Sequence, residues 1–324
     1  MQAATVTEFG TPDVLQIREV TDLEPGRGQV VVAVEYADTL WLETQVRAGA
    51  GQDYWPQRPP YVPGQGVSGR VSAVGDGVAE ALLGRRVAAR TGGEGGYATQ
   101  VVVAADALVD VPDDVGLDQA AAVLHDAVTA LALMYVTKQG TQDAVVVLGA
   151  SGGLGIASVQ LARSRAGATV AVARGAKLAR VADLGATAVV DSEADDWIDQ
   201  VRAALPDGTA DVVLDNIGGD LGESAFALMG PGGRFSGHGT PSGRFAEVNR
   251  HTARARDITV TGIEAVQLDD ETMRVLTRQG LEAVRTGELS PVIGQVFPLD
   301  RAADAHAAIE SRAVFGTTLL RTGT

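Results

Sequence analysis

Apolar residues follow two different patterns along this chain, and the first gives way to the second close to residue 110. In the first part, short apolar or alternating runs are separated by glycine, proline and acidic turns, a pattern that is typical of β-strands. The predicted strands are Ala3–Glu8, Leu15–Val20, Val30–Tyr36, Gly69–Val74, Arg86–Ala89 and Ala98–Val103. Their spacing predicts a small barrel or sandwich, to which Thr39–Arg47 adds one or two helical turns.

The second part alternates strands with helices. It begins with Leu117–Val136, an alanine-rich stretch whose apolar period of three to four residues predicts a helix. The predicted strands are Val145–Leu148, Thr169–Ala173, Ala188–Asp191, Val212–Leu214, Gly233–Ser236 and Ile258–Gly262, and the helices between them are Ile156–Ala166, Lys177–Leu184, Trp197–Leu205 and Gly222–Leu228. This alternation indicates a parallel sheet with right-handed crossovers. In the tail we predict the helices Glu271–Thr286 and Arg301–Glu310 and the strands Ile293–Pro298 and Thr317–Arg321.

These patterns predict an α/β fold with two domains, for which 324 residues are sufficient. A β-rich domain would comprise residues 1–120 and be completed by 265–324. A doubly wound Rossmann domain with a parallel sheet would comprise 121–264. We expect a ligand to bind in the cleft between the two domains.

The stretch Ala144–Gly155 carries the strongest chemical signal. Its sequence, AVVVLGASGGLG, is a buried strand followed by a glycine turn and the start of a helix, the order of a dinucleotide-binding unit. Gly152 and Gly153 would let the backbone approach a pyrophosphate, and Gly155 would let the helix pack against the strand. Ser151 and Leu154 complete the predicted cofactor contacts. Ala150 replaces the first glycine of the usual G-x-G-x-x-G pattern, and a plain tight turn is the alternative interpretation.

Composition and charge exclude several classes of function. A net charge of −15 argues against nucleic acid or an anionic membrane as the main partner. The absence of cysteine excludes disulfides, thiolate catalysis and cysteine-bound zinc, and the four histidines are too scattered to predict a metal site. The beginning of the chain has no signal-peptide pattern and no apolar run is long enough to span a membrane, so we expect a cytoplasmic protein.

Several motifs together resemble the medium-chain dehydrogenase/reductase superfamily, and in particular its zinc-less NADPH:quinone oxidoreductase branch. The motifs are PGQGVSGRVSAVG at 63–75, the stretch at 144–155, LGA at 184–186, DVVLDNIGG at 211–219 and GGRFSGHGTPSG at 232–243. The resemblance covers nearly the whole chain. It implies a GroES-like β-rich catalytic domain beside the Rossmann domain, and a nicotinamide cofactor.

The same resemblance predicts that no catalytic zinc is bound. Zinc-dependent members place a cysteine at the position of Leu40, a His-Glu pair at Gln65 and Gly66, and a third ligand at His125. Because an open catalytic site needs three protein ligands, the one candidate that remains is insufficient. Quinone reductase relatives often carry an active-site tyrosine where this chain has Gln45.

Cofactor choice is expected to depend on the end of the second Rossmann strand. An NAD site needs a carboxylate there for the ribose hydroxyls, whereas this chain has Arg174 and Lys177, which could bind a 2′-phosphate. Ser192 stands where relatives have an assisting tyrosine. We therefore predict NADPH, and the alternative is that both basic residues are simply solvated.

The resemblance extends the predicted site to other positions. Further cofactor contacts are expected at Thr129, Asn216, His238, Gly239, Thr240 and Phe315, with His238 contributing shape rather than acidity and Phe315 being either a contact or part of a plain turn. On the substrate side we place His125, Trp41 and Gln45. His125 is either an acid or hydrogen-bond donor, or a structural residue at a helix start. Tyr54, Trp55 and Tyr61 either line the substrate site or pack in the core.

We therefore expect an NADPH-dependent, zinc-independent oxidoreductase that transfers a hydride to a quinone or an α,β-unsaturated carbonyl. One alternative is an enoyl-thioester or biosynthetic-intermediate reductase, for which Arg47 and Arg58 are the candidate basic entrance. The other is a non-catalytic NADPH-binding sensor. A homodimer is expected because the sixth strand would otherwise be an open sheet edge. We expect no nucleic-acid or membrane partner.

Overall fold

A computed structural model describes residues 1–53 and 55–323. Its strands are β1 (Gln2–Val6), β2 (Leu15–Glu19), β3 (Gln29–Thr39), β4 (Gly66–Val74), β5 (Arg86–Arg90), β6 (Gln100–Ala104), β7 (Val109–Asp110), β8 (Ala144–Leu148), β9 (Ala168–Ala173), β10 (Ala188–Asp191), β11 (Ala210–Asp215), β12 (Met229–Gly237), β13 (Thr259–Thr261), β14 (Ile293–Pro298) and β15 (Thr317–Arg321). Its α-helices are α1 (Trp41–Arg47), α2 (Leu117–Ala122), α3 (Val128–Val136), α4 (Gly153–Arg165), α5 (Leu178–Ala182), α6 (Trp197–Ala204), α7 (Gly219–Ala225), α8 (Arg250–Ala255), α9 (Asp270–Arg285) and α10 (Ala302–Glu310).

The chain divides into two compact units. The first contains Met1–His125, Thr277–Thr286 and Pro291–Thr324, and the second contains Asp126–Leu276 and Gly287–Ser290. In the first unit β3 is the central strand, since it pairs antiparallel with β4, β6 and β15. The core of this unit is built mainly from the valines and alanines that these strands point inward. Through β15, the end of the chain is built into the sheet of the first unit.

The second unit contains a six-stranded parallel sheet in the order β10-β9-β8-β11-β12-β13. All five residues of β8 are buried, as the apolar run predicts for a central strand covered on both faces. The strand order reverses between β8 and β11, because β8 to β10 lead to one edge of the sheet and β11 to β13 lead to the other. Parallel sheets bind ligands beyond the carboxyl ends of the strands at such a point. The predicted α/β fold, with a Rossmann-type sheet, is confirmed.

The predicted helix over Leu117–Val136 is interrupted in the middle. It consists of α2, a π-helical turn at Val123–Ala127 that carries His125, and α3. Such π-turns are frequent at functional sites. By length and composition this segment could cross a membrane, but 67% of its most apolar window is buried inside the protein. Burial of this kind is typical of a core helix.

Three features of the second unit differ from the sequence-based prediction for identifiable reasons. The fifth strand of the parallel sheet, β12, begins at Met229 and not at Gly233, because a register shift against β11 accommodates Pro231 and Gly232. Helix α8 was not predicted, since its six residues are too few to show a period. The sixth strand is shorter than predicted: β13 pairs with β12 over only Thr259–Thr261.

Candidate functional site

The glycine turn after β8 has the backbone freedom that a nucleotide cradle needs. Gly149 has a φ of +69°, so it supplies the left-handed position, and Ala150 in place of a motif glycine is simply buried. A Cβ at Gly155 would collide with the carbonyl oxygen of Gly149, which explains the close approach of α4 to the turn. At Gly152, by contrast, the nearest atom to an added Cβ would be 3.9 Å away. The surface above Gly152 is therefore open to a ligand.

Helix α4 begins directly at this opening. No side chain caps its first turn, where Gly152 is the N-cap and Gly153 and Leu154 are the first helical residues. Amide N–H groups at an uncapped helix start, together with the helix dipole, favour a phosphate group. Ser151 is half-buried beside Gly152, which is exposed. These residues fit the pyrophosphate of a dinucleotide.

Basic side chains gather after β9. Burial, and then the charges of Arg174 and Arg180, lower the pKa of Lys177, which shows that the three cations lie near one another. The backbone N–H of Ser192 donates to the carbonyl of Ala173 at 2.9 Å and so holds Ser192 beside the end of β9. This cluster has the charge that a 2′-phosphate requires.

A carboxylate that was not predicted from the sequence lies next to the same cluster. Asp191 ends β10, and a Cβ added at Gly175 would lie 2.7 Å from its Oδ2 atom. Its Oδ1 atom accepts the N–H of Glu193 at 3.0 Å. The only signal in the sequence was an acidic residue at the carboxyl end of a parallel strand.

Asn216 and His238 form a hydrogen-bonded chain at the carboxyl ends of β11 and β12. Asn216 donates through Nδ2 to the carbonyl of Leu148 at 2.7 Å, so its Oδ1 accepts from His238 Nε2 at 2.6 Å. His238 Nδ1 then accepts from the hydroxyl of Ser236 at 3.1 Å. Burial lowers the pKa of His238 to about 4. The ring is therefore neutral at physiological pH and links three strand ends.

Backbone contacts complete this edge of the sheet. A Cβ at Gly239 would collide with the backbone of Asn216, so only glycine allows the two turns to approach this closely. Thr240 is half-buried and closes a turn by accepting the N–H of Gly243 at 2.8 Å. Thr129, in the first turn of α3, is half-buried.

In the first unit, His125 contacts a carboxylate that the sequence analysis did not identify. Its Nδ1 atom is hydrogen-bonded to Oδ2 of Asp38, which lies 87 positions earlier near the end of β3. The side chains of His125 and Asp38 are only 12% and 2% exposed. Among the residues that the structure describes, His125 Nε2 and Asp38 Oδ1 are buried without a hydrogen-bond partner.

A second buried carboxylate, Glu43 of α1, binds two backbone segments. Its Oε2 atom accepts the N–H of Leu40 at 2.9 Å and the hydroxyl of Tyr97 at 2.6 Å, and its Oε1 atom accepts the N–H of Gln65 at 3.1 Å. Tyr97 also contacts His306 Nε2 at 3.0 Å. Burial, and then the charge of Asp38, raise the pKa of Glu43 to about 8. Burial lowers the pKa of His306 to about 3.

The other predicted substrate-side residues have different environments. Trp41 begins α1 and Gln45 lies one turn later, with its Nε2 atom 3.0 Å from the hydroxyl of Thr44, and both side chains are half-buried. Trp55 is half-buried against the core of the first unit, whereas Tyr61 belongs to that core. Tyr54 lies outside the described residues. Phe315 is buried in the first unit, immediately before β15.

One expectation about the alternative function is wrong. Arg47 was a candidate for a basic entrance, but its side chain is 1% exposed. It donates to the carbonyl of Gly10 at 2.5 Å and forms an ion pair with Glu310. It therefore connects α1 to α10, and only Arg58 remains exposed as a candidate.

The donor set does not fit a catalytic zinc ion. Leu40, Gln65 and Gly66 offer no thiolate, imidazole or carboxylate, so of the four positions that correspond to the zinc site only His125 has a side chain suited to bind the metal. No group of three or more histidine, cysteine, aspartate or glutamate residues within the described part of the chain has the arrangement of a metal site.

Comparison with known proteins shows similarity along the whole chain. A family model described as an alcohol dehydrogenase GroES-like domain matches residues 26–113, and one described as zinc-binding dehydrogenase matches residues 184–320. Quinone oxidoreductase of Mus musculus is 30% identical over 318 residues, which covers 95% of this chain and 94% of the relative. A mycobacterial protein solved in complex with NADPH is 28% identical, with a TM-score of 0.89 and coverage of 99% of this chain and 100% of that one. A structure described as an NAD-dependent alcohol dehydrogenase is also 28% identical, with a TM-score of 0.88 and full coverage of both chains.

Proposed function

Because the chain belongs to the medium-chain dehydrogenase/reductase superfamily, in its quinone oxidoreductase branch, we propose that it is an NADPH-dependent reductase of quinones or α,β-unsaturated carbonyls that works without zinc. The single observation that carries the proposal is the open glycine cradle at Gly152, next to the uncapped start of α4. A turn that served only as a connection would not need open space above Gly152. A pyrophosphate needs it.

NADPH is favoured over NADH by the charges near the end of β9. Arg174 and Lys177 would bind the 2′-phosphate, and Ser192 would add a hydroxyl donor. The carboxylate of Asp191 opposes this preference, but one negative charge faces a cluster of three cations. The NADPH-bound mycobacterial relative supports the same choice, while the relative described as NAD-dependent is the reason for measuring both cofactors.

The chemistry of the donors supports the proposed zinc independence. In a zinc-dependent reductase the metal polarises the substrate carbonyl as a Lewis acid. Here the other positions of that site hold Leu40, Gln65 and Gly66, whose side chains offer no thiolate, imidazole or carboxylate. Substrate activation must therefore come from hydrogen bonds, for which His125 is the candidate.

The remaining work of the protein is binding and orientation. The bound cofactor would supply a hydride to the electrophilic carbon of the substrate. The hydrogen-bonded chain of Asn216 and His238 fixes the strand ends against which the nicotinamide side would lie, and its neutral imidazole adds no charge there. Trp41 and Gln45 remain our candidates for substrate contacts. Orientation alone can lower a barrier by several kcal/mol, roughly 7–11 in favourable cases.

Turnover with a panel of acceptors tests the proposal. The purified protein should oxidise NADPH in the presence of at least one quinone or conjugated ketone, and it should do so after dialysis against a metal chelator. Measurement of the same panel with NADH gives the cofactor preference. NADPH binding without oxidation by any acceptor would contradict the proposed activity, and loss of turnover on chelation would contradict zinc independence.

We also propose a homodimer that pairs the β13 edges of two copies. β13 is the last strand of its sheet, and an unpaired edge favours association with a second strand. Thr259 is exposed and Val260 is half-buried, so the edge is accessible. Light scattering should give twice the mass of the chain, and Val260→Pro should give a monomer. A wild-type monomer at micromolar concentration would contradict the pairing. A cytoplasmic location stays a prediction.

A further inference from the structure

We propose that His125 and Asp38 are a proton-donating pair in which His125 protonates the substrate oxygen and Asp38 holds the imidazole in position. The inference rests on the proposed function, because an acceptor that gains a hydride must also gain a proton. Three independent observations of the described residues support it.

The first observation is the orientation of the ring. The hydrogen bond from Nδ1 to Asp38 Oδ2 uses one nitrogen, and Nε2 is left buried without a partner among the described residues. An unpaired buried polar atom costs about 1–3 kcal/mol. A hydrogen-bond acceptor brought to Nε2 would remove this cost. A structural histidine in the same protein, His238, has partners on both nitrogens.

The second observation is the space that Gly66 provides. A Cβ added at Gly66 would lie 2.9 Å from Asp38 Oδ2, 3.0 Å from Oδ1 and 3.1 Å from Cγ. The carboxylate of Asp38 thus occupies the volume that any side chain at position 66 would need. In zinc-dependent relatives this position carries a glutamate, according to the resemblance. Here the buried carboxylate comes from the neighbouring strand β3.

The third observation is the set of ionisable groups that surround the pair. Glu43 of α1 lies close enough to Asp38 to feel its charge, Tyr97 and His306 lie behind Glu43, and Asp126 follows His125 in the chain. Burial, and then the charge of Asp38, raise the pKa of Glu43 to about 8, so the Glu43 carboxyl is protonated at neutral pH. The carboxylate of Asp38 can then balance a positive charge on the ring of His125.

Reduction of a conjugated ketone would require both a hydride and a proton. A hydride from NADPH adds to the β-carbon, the carbon–carbon double bond shifts, and negative charge develops on the carbonyl oxygen. The imidazolium of His125 gives its Nε2 proton to that oxygen and becomes neutral imidazole, while Nδ1–H stays bonded to Asp38. The substrate gains two electrons and two hydrogens, the cofactor is oxidised to NADP⁺, and solvent restores the proton on His125.

The test compares four variants with the wild-type enzyme. Asp38→Asn keeps the shape and removes the charge, His125→Gln removes the donor, and Gly66→Ala displaces the carboxylate without a backbone clash. Gly140→Ala is the matched control, since its Cβ would have no atom nearer than 3.7 Å. For each protein we would measure kcat, KM and the free energy of unfolding between pH 5 and about 9.

We expect His125→Gln to lower kcat about 100-fold and Asp38→Asn at least about tenfold, with KM changed about twofold or less. In Asp38→Asn the pH at which kcat declines should differ from that of the wild type. Gly66→Ala should lower kcat as well, but by a smaller factor than Asp38→Asn. Gly140→Ala should match the wild type. Unchanged kcat and pH dependence in both Asp38→Asn and His125→Gln would overturn the pair. A purely structural role would lower stability and leave the pH profile where it is.

A second readout does not depend on turnover. The ring of His125 can be followed by NMR in the cofactor-free protein, and its titration should shift in Asp38→Asn and stay unchanged in Gly140→Ala. No difference between wild type and Asp38→Asn would overturn the pair even if both enzymes were active. If the wild type shows this shift but oxidises no NADPH with any acceptor, the proposed function fails while the pair stands.

Discussion

The hydroxyl of Tyr97 donates to Oε2 of Glu43 across 2.6 Å, and both side chains are buried. The same carboxyl accepts the N–H groups of Leu40 and Gln65. These are two of the positions where zinc-dependent relatives bind the metal, according to the resemblance. Glu43 therefore cross-links two segments that a metal ion joins in the zinc-dependent relatives. Protonation of its carboxyl contributes to the stability of the first unit.

Replacing Glu43 by Gln should remove a pH dependence of folding. The pKa of Glu43 is raised in the folded state from 4.5 to about 8, so its contribution to stability is fully present below pH 4.5 and is lost as pH rises through 8. His238 and His306, whose pKa values are lowered to about 4 and about 3, affect stability only below about pH 6.5. From pH 6.5 to 8.5 the free energy of unfolding of the wild type should therefore fall by on the order of 2 kcal/mol.

The measurement is denaturant unfolding at several values of pH. Glu43→Gln should be about 1 kcal/mol less stable at pH 6.5, because an amide cannot accept both backbone N–H groups, but its stability should stay level up to pH 8.5. The exposed Glu80→Gln is the control and should follow the wild type. A parallel decline in Glu43→Gln would show that another group titrates.

Gly152→Ala should separate cofactor binding from folding. No atom lies closer than 3.9 Å to the added Cβ, so the free energy of unfolding should fall by less than about 1 kcal/mol. The methyl group would nevertheless project into the cradle, and the Kd for NADPH should rise at least about tenfold. Calorimetric titration measures this value. Gly155→Ala is the contrasting variant, and its free energy of unfolding should be lower than that of the wild type by about 1–3 kcal/mol or more. Normal NADPH affinity in Gly152→Ala would place the pyrophosphate elsewhere.

Lys177→Ala should weaken NADPH much more than NADH. Loss of one charge-assisted hydrogen bond of about 1.5–3 kcal/mol corresponds to a Kd for NADPH that is roughly 10 to 100 times higher. NADH lacks the 2′-phosphate, so its Kd should hardly change. Fluorescence titration with both cofactors measures the ratio, and the exposed Arg202→Ala, which pairs with Asp199, serves as the control. Equal losses for both cofactors would mean that Lys177 acts on something other than the 2′-phosphate.

Asn216→Ala should cost more stability than the loss of the other asparagine in the chain. It removes the bond to the Leu148 carbonyl and leaves His238 Nε2 without an acceptor, for a total of about 2–4 kcal/mol. Asn249→Ala removes one N-cap bond, to Thr252, and should cost about 1 kcal/mol. Thermal and denaturant unfolding of both variants decide the comparison, and similar losses would contradict the hydrogen-bonded chain.

The sequence predicted the second unit well because its signals are local. The buried run of β8, the glycines after it and the apolar period of α4 lie within 25 consecutive residues, so each element indicates the next. The parallel direction of the strands follows from their alternation with helices. By contrast, the extent of β12 depends on a register shift against β11, which no local pattern reveals.

The substrate side could not be predicted in the same way. Asp38 is one acidic residue at the end of an apolar strand, and its partner His125 comes 87 residues later. Tyr97 and His306 are 209 residues apart and meet only because α10 returns to the first unit. A single buried carboxylate leaves no periodic pattern in the sequence from which its burial could be predicted. The available signals were two acidic residues, Asp38 and Glu43, in otherwise apolar surroundings.

We propose that a glycine cradle and a basic cluster bind NADPH for a reduction that needs no metal. Single-turnover mixing tests it most directly: chelator-treated enzyme, with its zinc content determined, is loaded with one equivalent of NADPH and mixed with the best quinone of the panel. We expect a single phase of NADPH oxidation that matches the enzyme concentration and is unchanged by added zinc. NADPH that fails to bind, or that is oxidised only after zinc is restored, would contradict it.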